Sequence, residues 1–372
     1  MFPVVTLLMK RKLLGVLRRL GFLVLVVWTV VSLVTLLIEL VPGDPAIAIL
    51  GEQATPEQLA QFRVKHRLDR PPFFVGFPAD ENGRHHFRWY GANNRYVDYW
   101  ASILKGDLGT SFRTECPVAK SIFWSCSAPE LRWNDVFSDL FRARFVSLLG
   151  HIDPFFNSRF FSTALLAITA LCIAVAIAIP IGVIAGKNRG NLLDNALSVV
   201  ALVGISLPSF VIGPMLVYVF AVKLGWLAPS GWFEWTDIIL PAFTLGMALS
   251  AILTRMVRSS VIEELGEGYV RTARAKGLSE RTVVYKHVLK NGLIPVVTVL
   301  GLQLGVLLAG AIITEKVFGW PGLGLLLVED GIAKRDYSIV QGCVLTISTT
   351  YIIANTLTDL LYRWLDPRIR VS

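Results

Sequence analysis

Six long apolar stretches constrain this chain more than any other feature of its sequence. A helix needs roughly 20 mostly apolar residues to cross the hydrocarbon core of a bilayer. Only 17% of the residues are charged, whereas about a quarter is usual in soluble domains. The sequence therefore predicts an all-α membrane protein with six transmembrane helices. Their approximate bounds are 20–41, 161–186, 195–222, 238–262, 292–314 and 338–361.

The first apolar stretch follows a basic start at Lys10, Arg11 and Lys12, which is also typical of a signal peptide. Its apolar run is too long for the core of a cleaved signal, and we interpret it as the first span. The chain is then divided into a cytoplasmic amino terminus with the first span (1–41), a long periplasmic loop (42–160) and a five-helix part (161–372).

Lysine and arginine are distributed unevenly between the two sides of the predicted membrane. Eighteen lie in the segments on the side of the amino terminus, and four lie in the short loops on the other side. Long translocated loops do not count in the positive-inside rule. The sequence predicts a multi-pass membrane protein with both termini in the cytoplasm. The net charge of +9 therefore indicates topology, and not nucleic-acid binding.

No ATP-binding motif is found. The nearest string begins at Gly182 and ends with Gly186, Lys187 and Asn188. It has three residues between its glycines and no hydroxyl after the lysine, whereas a phosphate-binding loop needs four and a Ser or Thr. We predict no enzyme activity and no ATPase site in this chain. The two glycines favour close helix packing instead.

The remaining chemistry motifs are also negative. His85 and His86 are adjacent in the long loop, with no cysteine or carboxylate at ligand spacing, so we predict no metal site. The middles of the six spans contain no ionisable residue, although such residues mark the pathway of ion-driven carriers. This pattern disfavours a proton-coupled carrier and is compatible with a pathway that is powered by a partner.

Two of the four cysteines, Cys116 and Cys126, lie in the long external loop with nine residues between them. An oxidising periplasm allows them to pair. A disulfide and two free thiols remain open interpretations at this point.

A polar segment at about 263–290 has the most structured local pattern. Glu263 and Glu264 open it, and bases close its first half, as a helix dipole favours. Gly277 fits a left-handed helix stop, and Ser279 fits the cap of a following helix. The pattern predicts two short helices joined by a sharp glycine turn on the cytoplasmic face.

The same segment places Leu265, Tyr269 and Ala273 at helical spacing on one face. A solvated, positively charged loop is the simpler interpretation. Such a loop would not need a small-residue face, a helix stop and a new cap in succession. The pattern therefore favours an element that docks onto a partner.

The stretch from Tyr269 to Leu278 resembles the EAA loop, or coupling helix, of binding-protein-dependent ABC importer permeases. More narrowly, it resembles the dipeptide, oligopeptide and nickel permeases. Arg271 stands where the general pattern has Glu, in keeping with the peptide branch. Further motifs of that family follow in the expected order: Arg18-Arg19-Leu20, Leu40-Val41-Pro42-Gly43-Asp44-Pro45, Leu68-Asp69-Arg70-Pro71, Gly106-Asp107-Leu108-Gly109-Thr110-Ser111, Pro117-Val118, Ser206-Leu207-Pro208-Ser209-Phe210, Phe318-Gly319-Trp320-Pro321-Gly322-Leu323-Gly324 and Asp366-Pro367-Arg368-Ile369.

The resemblance implies the transmembrane-domain fold of ABC importers and a set of partners. These are a second, homologous permease subunit, two ATPase subunits that bind ATP and Mg, and a periplasmic substrate-binding protein. Lipid surrounds the spans, and neither a cofactor in this chain nor nucleic acid is implied. The residues implied in ATPase coupling are Tyr269, Arg271, Thr272, Ala273, Arg274, Ala275, Lys276 and Gly277.

Peptides are the default substrate of the family, but nickel, glutathione and other small solutes share these motifs. The alternative functions are an ATP-independent channel or secondary transporter, and a structural membrane subunit. Two aromatic-rich stretches, about 73–95 and 122–158, look like insertions. Contact with a binding protein, contact with the membrane and packing into a small cap all fit these insertions.

Overall fold

The computed structural model describes residues 21–39, 43–51, 53–76, 86–123, 158–232 and 234–365. Within these ranges the chain is mostly helical, with one two-stranded antiparallel hairpin, β1 (Val75–Gly76) and β2 (Arg88–Trp89). In chain order the helices are α1 (Gly21–Glu39), α2 (Pro45–Leu50), α3 (Pro56–Lys65), α4 (Arg95–Leu104), α5 (Val118–Phe123), α6 (Arg159–Lys187), α7 (Leu192–Ser206), α8 (Ser209–Lys223), α9 (Ile239–Leu265), α10 (Gly268–Ala275), α11 (Glu280–Gly292), α12 (Ile294–Gly310), α13 (Ile312–Phe318), α14 (Leu323–Leu325) and α15 (Tyr337–Leu365).

Four helical segments are long and apolar enough to cross a membrane, namely Gly21–Glu39, Arg159–Lys187, Trp235–Leu265 and Tyr337–Leu360. The number rises to six if each of two bent helix pairs is counted as one span. The predicted helical membrane fold is therefore confirmed, whereas the count of six spans stays a prediction.

The first bent pair is α7 and α8, which meet at an angle of 97°. Leu207 precedes Pro208 and has an extended backbone (φ −89°, ψ 119°). A residue before proline is disfavoured in the helical conformation, so α7 ends there and α8 begins after the proline. The third span expected over 195–222 therefore corresponds to a bent pair of helices, and whether the pair crosses the membrane stays a prediction.

The second bent pair is α11 and α12, with an angle of 50° between them. Pro295 lies in the first turn of α12, where its missing N–H leaves no hydrogen bond unmade. A new helix therefore starts at Ile294, close to the expected beginning of the fifth span.

The chain divides into two compact units. The first unit comprises Met1–Arg159 and Leu326–Thr349, and the second comprises Phe160–Leu325 and Thr350–Ser372. The predicted division into 1–41, 42–160 and 161–372 differs from this grouping and stays a prediction.

Polar contacts between distant segments hold the first unit together. The buried Asp336 carboxylate accepts hydrogen bonds from the Ser111 hydroxyl at 2.6 Å and from the Phe112 N–H at 2.8 Å. Gln341 donates to the Thr35 hydroxyl at 3.2 Å. The bonds to Asp336 fix the long loop against the start of α15. The bond from Gln341 fixes α1 to α15.

The second unit has a large apolar core. Glycines in its helices allow neighbouring helices to pack closely. A Cβ added to Gly182 in α6 would lie 2.6 Å from Val257 Cβ, and one added to Gly186 would lie 2.9 Å from Val261 Cβ. The expectation that these glycines permit close helix packing is confirmed. Both glycines lie inside a continuous helix, whereas the glycines of a phosphate-binding loop lie in a loop that precedes a helix.

Gly301 and Gly305 in α12 act in the same way. A Cβ on Gly301 would lie 2.8 Å from Thr358 Cβ, and one on Gly305 would lie 2.7 Å from Asn355 Oδ1. A Gly-x-x-x-Gly spacing in a membrane helix favours close helix packing, either within one subunit or against another. The structure shows that these glycines pack against α15 of the same chain.

Candidate functional site

The segment after α9 forms two helices joined by a glycine turn, as predicted. Gly266 ends α9, α10 follows, and Gly277 adopts a left-handed φ of +77°. No atom lies within 4 Å of the position that a Gly277 Cβ would occupy. The glycine is therefore required by the backbone conformation and not by crowding. The side chain of Ser279 accepts a hydrogen bond from the Thr282 N–H and caps α11.

The inner face of α10 is anchored in the core of the second unit. Val270 is fully buried and Ala273 is 8% exposed, and both belong to the same apolar cluster as Val283, Val284 and Val288 of α11. Because apolar burial contributes about 25 cal/mol per Å², these contacts hold α10 firmly against the core.

The predicted face of Leu265, Tyr269 and Ala273 is wrong. Leu265 belongs to α9 and Tyr269 to α10. The chain leaves the helical path at Gly266, so spacing across this break does not define one face. Val270 and Ala273 point inward, whereas Tyr269 is 36% exposed.

The outer face of α10 is polar and basic. The family resemblance implies eight coupling residues here, and the structure places all of them except Ala273 at the surface. Arg274 forms a two-point ion pair with Glu280, with N–O distances of 2.6 and 3.3 Å. The exposed members are Tyr269, Arg271, Thr272, Arg274, Ala275, Lys276 and Gly277.

Arg271 and Lys276 are the basic residues of this face that form no ion pair with any part of the chain that the structure describes. Arg274, in contrast, already has its acid within the chain. The three bases that the resemblance implies in ATPase coupling are thus not equivalent.

Tyr269 adds a neutral donor to the same surface. Its hydroxyl donates a hydrogen bond to the Glu264 carboxylate. Partial burial, together with this hydrogen bond, raises the pKa of Tyr269 to about 12. Tyr269 therefore stays protonated at neutral pH and ties the start of α10 to the end of α9.

An ion pair that the sequence did not reveal holds the end of α9. Arg258 Nε and a terminal guanidinium nitrogen donate to the two oxygens of Asp194 at 2.5 and 2.8 Å, and the Gly190 N–H donates to the same carboxylate at 2.9 Å. Asp194 is 1% exposed. The pair fixes the loop after α6 to the last turns of α9, which lead directly into α10. Opposite charges near the ends of two predicted spans were the one available signal.

A second buried acid that the sequence missed organises the motif that begins at Phe318. Glu315 in α13 is fully buried. Its carboxylate accepts hydrogen bonds from the Thr163 hydroxyl at 2.6 Å and from the backbone N–H groups of Gly324 and Leu325 at 2.7 and 3.1 Å. The side chain also fills the space in which Gly322 would carry a Cβ. The glycines of this motif therefore make room for a carboxylate.

The cysteine prediction is not tested. Cys116 is buried in the first unit, and Cys126 lies outside the described residues. Their pairing stays a prediction. In the ranges that the structure describes, no three residues among His, Cys, Asp and Glu come together in a group that would hold a metal ion.

Comparisons with known proteins identify the family. The family model described as "Binding-protein-dependent transport system inner membrane component" matches residues 178–371. The glutathione transport system permease protein GsiC of Salmonella paratyphi A is 39% identical over 355 residues, which cover 95% of this chain and 98% of the relative. The protein of the same name in Escherichia coli K12 is 37% identical over the same shares.

Among solved structures, an inward-facing form of the MetNI methionine ABC transporter matches 56% of this chain and 94% of its own chain. The sequence identity is 19% and the TM-score is 0.48, so this similarity carries no argument here. The family model and the relatives confirm the resemblance found in the motifs: the chain belongs to the binding-protein-dependent transport system inner membrane components, the membrane permease subunits of ABC importers.

Proposed function

We propose that this chain is a transmembrane permease subunit that couples ATP hydrolysis by partner proteins to the import of glutathione or a short peptide. The family supports the permease role, and the names of the relatives support a small peptide-type solute. Glutathione is itself a tripeptide, so both substrates carry peptide amides or an amide bond, an ammonium group and at least one carboxylate. Nickel is a less favoured substrate, because none of the matched relatives quoted above is named for it.

The proposed assembly contains a second, homologous permease subunit, two ATPase subunits and a periplasmic substrate-binding protein. ATP and Mg are bound by the ATPase subunits. This chain contributes the membrane pathway and the docking surface. The excess of lysine and arginine in segments on one side supports an inner-membrane orientation with both termini in the cytoplasm.

One observation carries the coupling role: α10 is buried on one side and exposed and basic on the other. Val270 and Ala273 hold it in the core of the second unit, while Arg271 and Lys276 face outward. A displacement imposed on the outer face is passed to the core, because packed interiors deform little. A solvated loop without buried residues would absorb the same displacement.

The charges of this surface suggest how a partner recognises it. Arg271 and Lys276 are exposed donors for acids of an ATPase. Arg274 is held by Glu280 and contributes to the shape of the turn instead. Exposed ion pairs add little affinity on their own, so we expect the fit of the glycine turn to matter as much as its charge.

The first experiment tests Gly277→Ala. A residue with a Cβ is strained by about 1–2 kcal/mol in the left-handed conformation, and the turn has open space around it. We expect normal insertion, normal basal ATP hydrolysis by the purified complex, and a drop in ATP-driven uptake of roughly fivefold or more.

Gly225→Ala is the matched control. Gly225 also has a positive φ, of +63°, and no atom within 4 Å of its Cβ position, but it lies outside the 263–290 segment. If both variants transport equally well per ATP hydrolysed, α10 is not the coupling element. If the native chain purifies alone in mild detergent and transports without an ATPase, the channel or secondary carrier is correct instead.

A further inference from the structure

An exposed aromatic surface lies on the hairpin of the first unit. Phe74 precedes β1, Phe87 precedes β2, and Trp89 ends β2. Their exposed fractions are 37%, 63% and 64%, and Arg88 between the last two is exposed as well. We call these four residues the aromatic ledge. Large exposed apolar patches mark interaction sites, and the aromatic ledge is such a patch with a base beside it.

Ring contacts fix the ledge to α4. The rings of Phe74 and Trp89 are stacked with centroids 6.1 Å apart, and the ring of Phe74 lies edge-on to that of Tyr96 at 5.8 Å. The Tyr90 N–H donates to the Phe74 carbonyl at 2.8 Å. Tyr96 is buried in the first turn of α4, so the ledge has a defined position relative to that helix.

Two contacts fix the start of α4 at a known level of α1. The Tyr96 hydroxyl and the Ser32 hydroxyl are hydrogen-bonded at 2.6 Å. Arg95 forms an ion pair with Glu39 at 2.7 Å. Glu39 is the last described residue of α1, and Ser32 lies two turns earlier, about 10 Å along the helix axis. The Tyr96 ring therefore lies beside the last two described turns of a candidate membrane span.

The same level of α1 is apolar on its outside. Leu33, Leu36 and Leu37 are exposed on these last turns. In a membrane permease, this surface meets the end of the hydrocarbon core and the headgroup layer. The ledge lies one ring beyond Tyr96, whose hydroxyl contacts Ser32 of α1, so its exposed aromatic surface is close to the level of these leucines.

We propose that the aromatic ledge lies in the interfacial layer of the bilayer, at the membrane end marked by Glu39, and binds phospholipid. Trp and Tyr are enriched in this layer, where one side of the ring is apolar and the other is wet. Arg88 supplies a cation for a lipid phosphate. It lies 5.6 Å from the centre of the Tyr90 ring, so its charge stays close to the aromatic surface.

The test measures the depth of labelled residues in the complete protein. Trp89→Cys and Phe87→Cys are labelled with an environment-sensitive fluorophore and reconstituted into phosphatidylcholine and phosphatidylglycerol vesicles. The vesicles contain lipids that carry a nitroxide quencher either near the headgroup or near the end of the acyl chain. The unsubstituted chain, labelled in parallel, corrects for its four native cysteines.

Two further variants calibrate the measurement. Leu33→Cys reports a lipid-facing position on α1, and Glu57→Cys reports an exposed position on α3, a helix without buried residues. We expect shallow quenchers to act on residues 87 and 89 at least about twice as strongly as on residue 57, and more strongly than deep quenchers.

Equal quenching at residues 57, 87 and 89 would overturn the proposal. So would a signal at 87 and 89 that changes only when the substrate-binding protein is added, because the occupant is then that protein. Having two labelled positions keeps the test valid if one variant fails to fold. The assay uses neither nucleotide nor ATPase, so its outcome is independent of the coupling role proposed for α10.

Discussion

Two polar regions of this protein are held in place by opposite means. The α10 segment of the second unit rests on apolar packing, with Val270 and Ala273 in the core. The loop of the first unit, from α2 to α5, rests on ion pairs, hydrogen bonds and stacked rings. Its helix α3 has no buried residue and is held at one end by an ion pair between Arg63 and Asp44.

The difference indicates different tolerances. Apolar packing is insensitive to pH, but it is sensitive to any polar group introduced at a buried position. Polar contacts tolerate a change of side-chain size but fail when one partner is removed or changes its charge. The coupling role that we propose for α10 requires a surface that transmits force, which suits the first kind of support. The loop of the first unit has no such proposed role, and polar contacts are adequate to hold it.

The largest effect is expected for Val270→Asp. This change places an unpaired carboxylate in the valine cluster, at a cost of several kcal/mol, and we expect the folded protein to be lost. The control is Arg271→Asp, which introduces the same group one residue later on the exposed face. Melting curves by size-exclusion chromatography in detergent should show a loss for the first variant and little change for the second. Equal melting temperatures would mean that α10 is not packed as described.

A smaller loss is expected for Asp336→Ala. The change leaves the Ser111 hydroxyl and the Phe112 N–H without their acceptor, and we expect a destabilisation of about 2–4 kcal/mol. Asp107→Ala is the matched control, because the Asp107 carboxylate is exposed and accepts one local bond, from the Gly109 N–H. Limited proteolysis of the region around residue 111 should accelerate in the first variant alone. If both variants are cleaved at the rate of the parent chain, the loop is held by other contacts.

The smallest effect concerns pH and His66. The ring of His66 lies between those of Phe62 and Phe112, with centroids 4.5 and 4.7 Å away. Burial, reinforced by the Lys65 ammonium, lowers the pKa of His66. A histidine with a lowered folded pKa contributes stability that is present above the unfolded value of about 6.5 and is lost as the pH falls through the folded value.

We therefore expect hydrogen exchange of α3 to accelerate as the pH falls below about 6.5, after correction for the intrinsic rate. His66→Phe keeps a ring between its neighbours and removes the titrating group, so it should abolish the acceleration. Helix α10 (Gly268–Ala275) contains no histidine and should show no such acceleration. Equal pH dependence in both regions would contradict the distinction between them.

Local features of the sequence predicted local features of the structure. Gly277 and Ser279 act on a few neighbouring residues, so the sequence alone predicted the glycine stop and the helix cap. The sequence did not predict the inward face of α10, because a break at Gly266 separates Leu265 from Tyr269. Pro208 is present in the sequence, but a proline inside an apolar stretch predicts a kink as readily as the full break observed.

Buried acids were the least predictable part of the site. Asp194 and Arg258 are 64 residues apart, and Ser111 and Asp336 are 225 apart. Sequence patterns report neighbours within a helical turn or two, whereas these partners are set by which helices the fold brings together. Charges near the ends of the spans indicate topology in the sequence, but two of them, Asp194 and Arg258, also form an ion pair.

The two broken helix pairs also determine whether the chain crosses the membrane an even or an odd number of times. A pair that crosses the bilayer adds one passage, whereas a pair that enters and returns adds none. With four unbroken candidate spans, two crossing pairs or two returning pairs give an even number of passages. One pair of each kind gives an odd number. If the two termini lie on the same side of the membrane, α7–α8 and α11–α12 must either both cross the bilayer or both return. The outcome for one bent pair therefore determines the outcome for the other, although no contact between the two is needed.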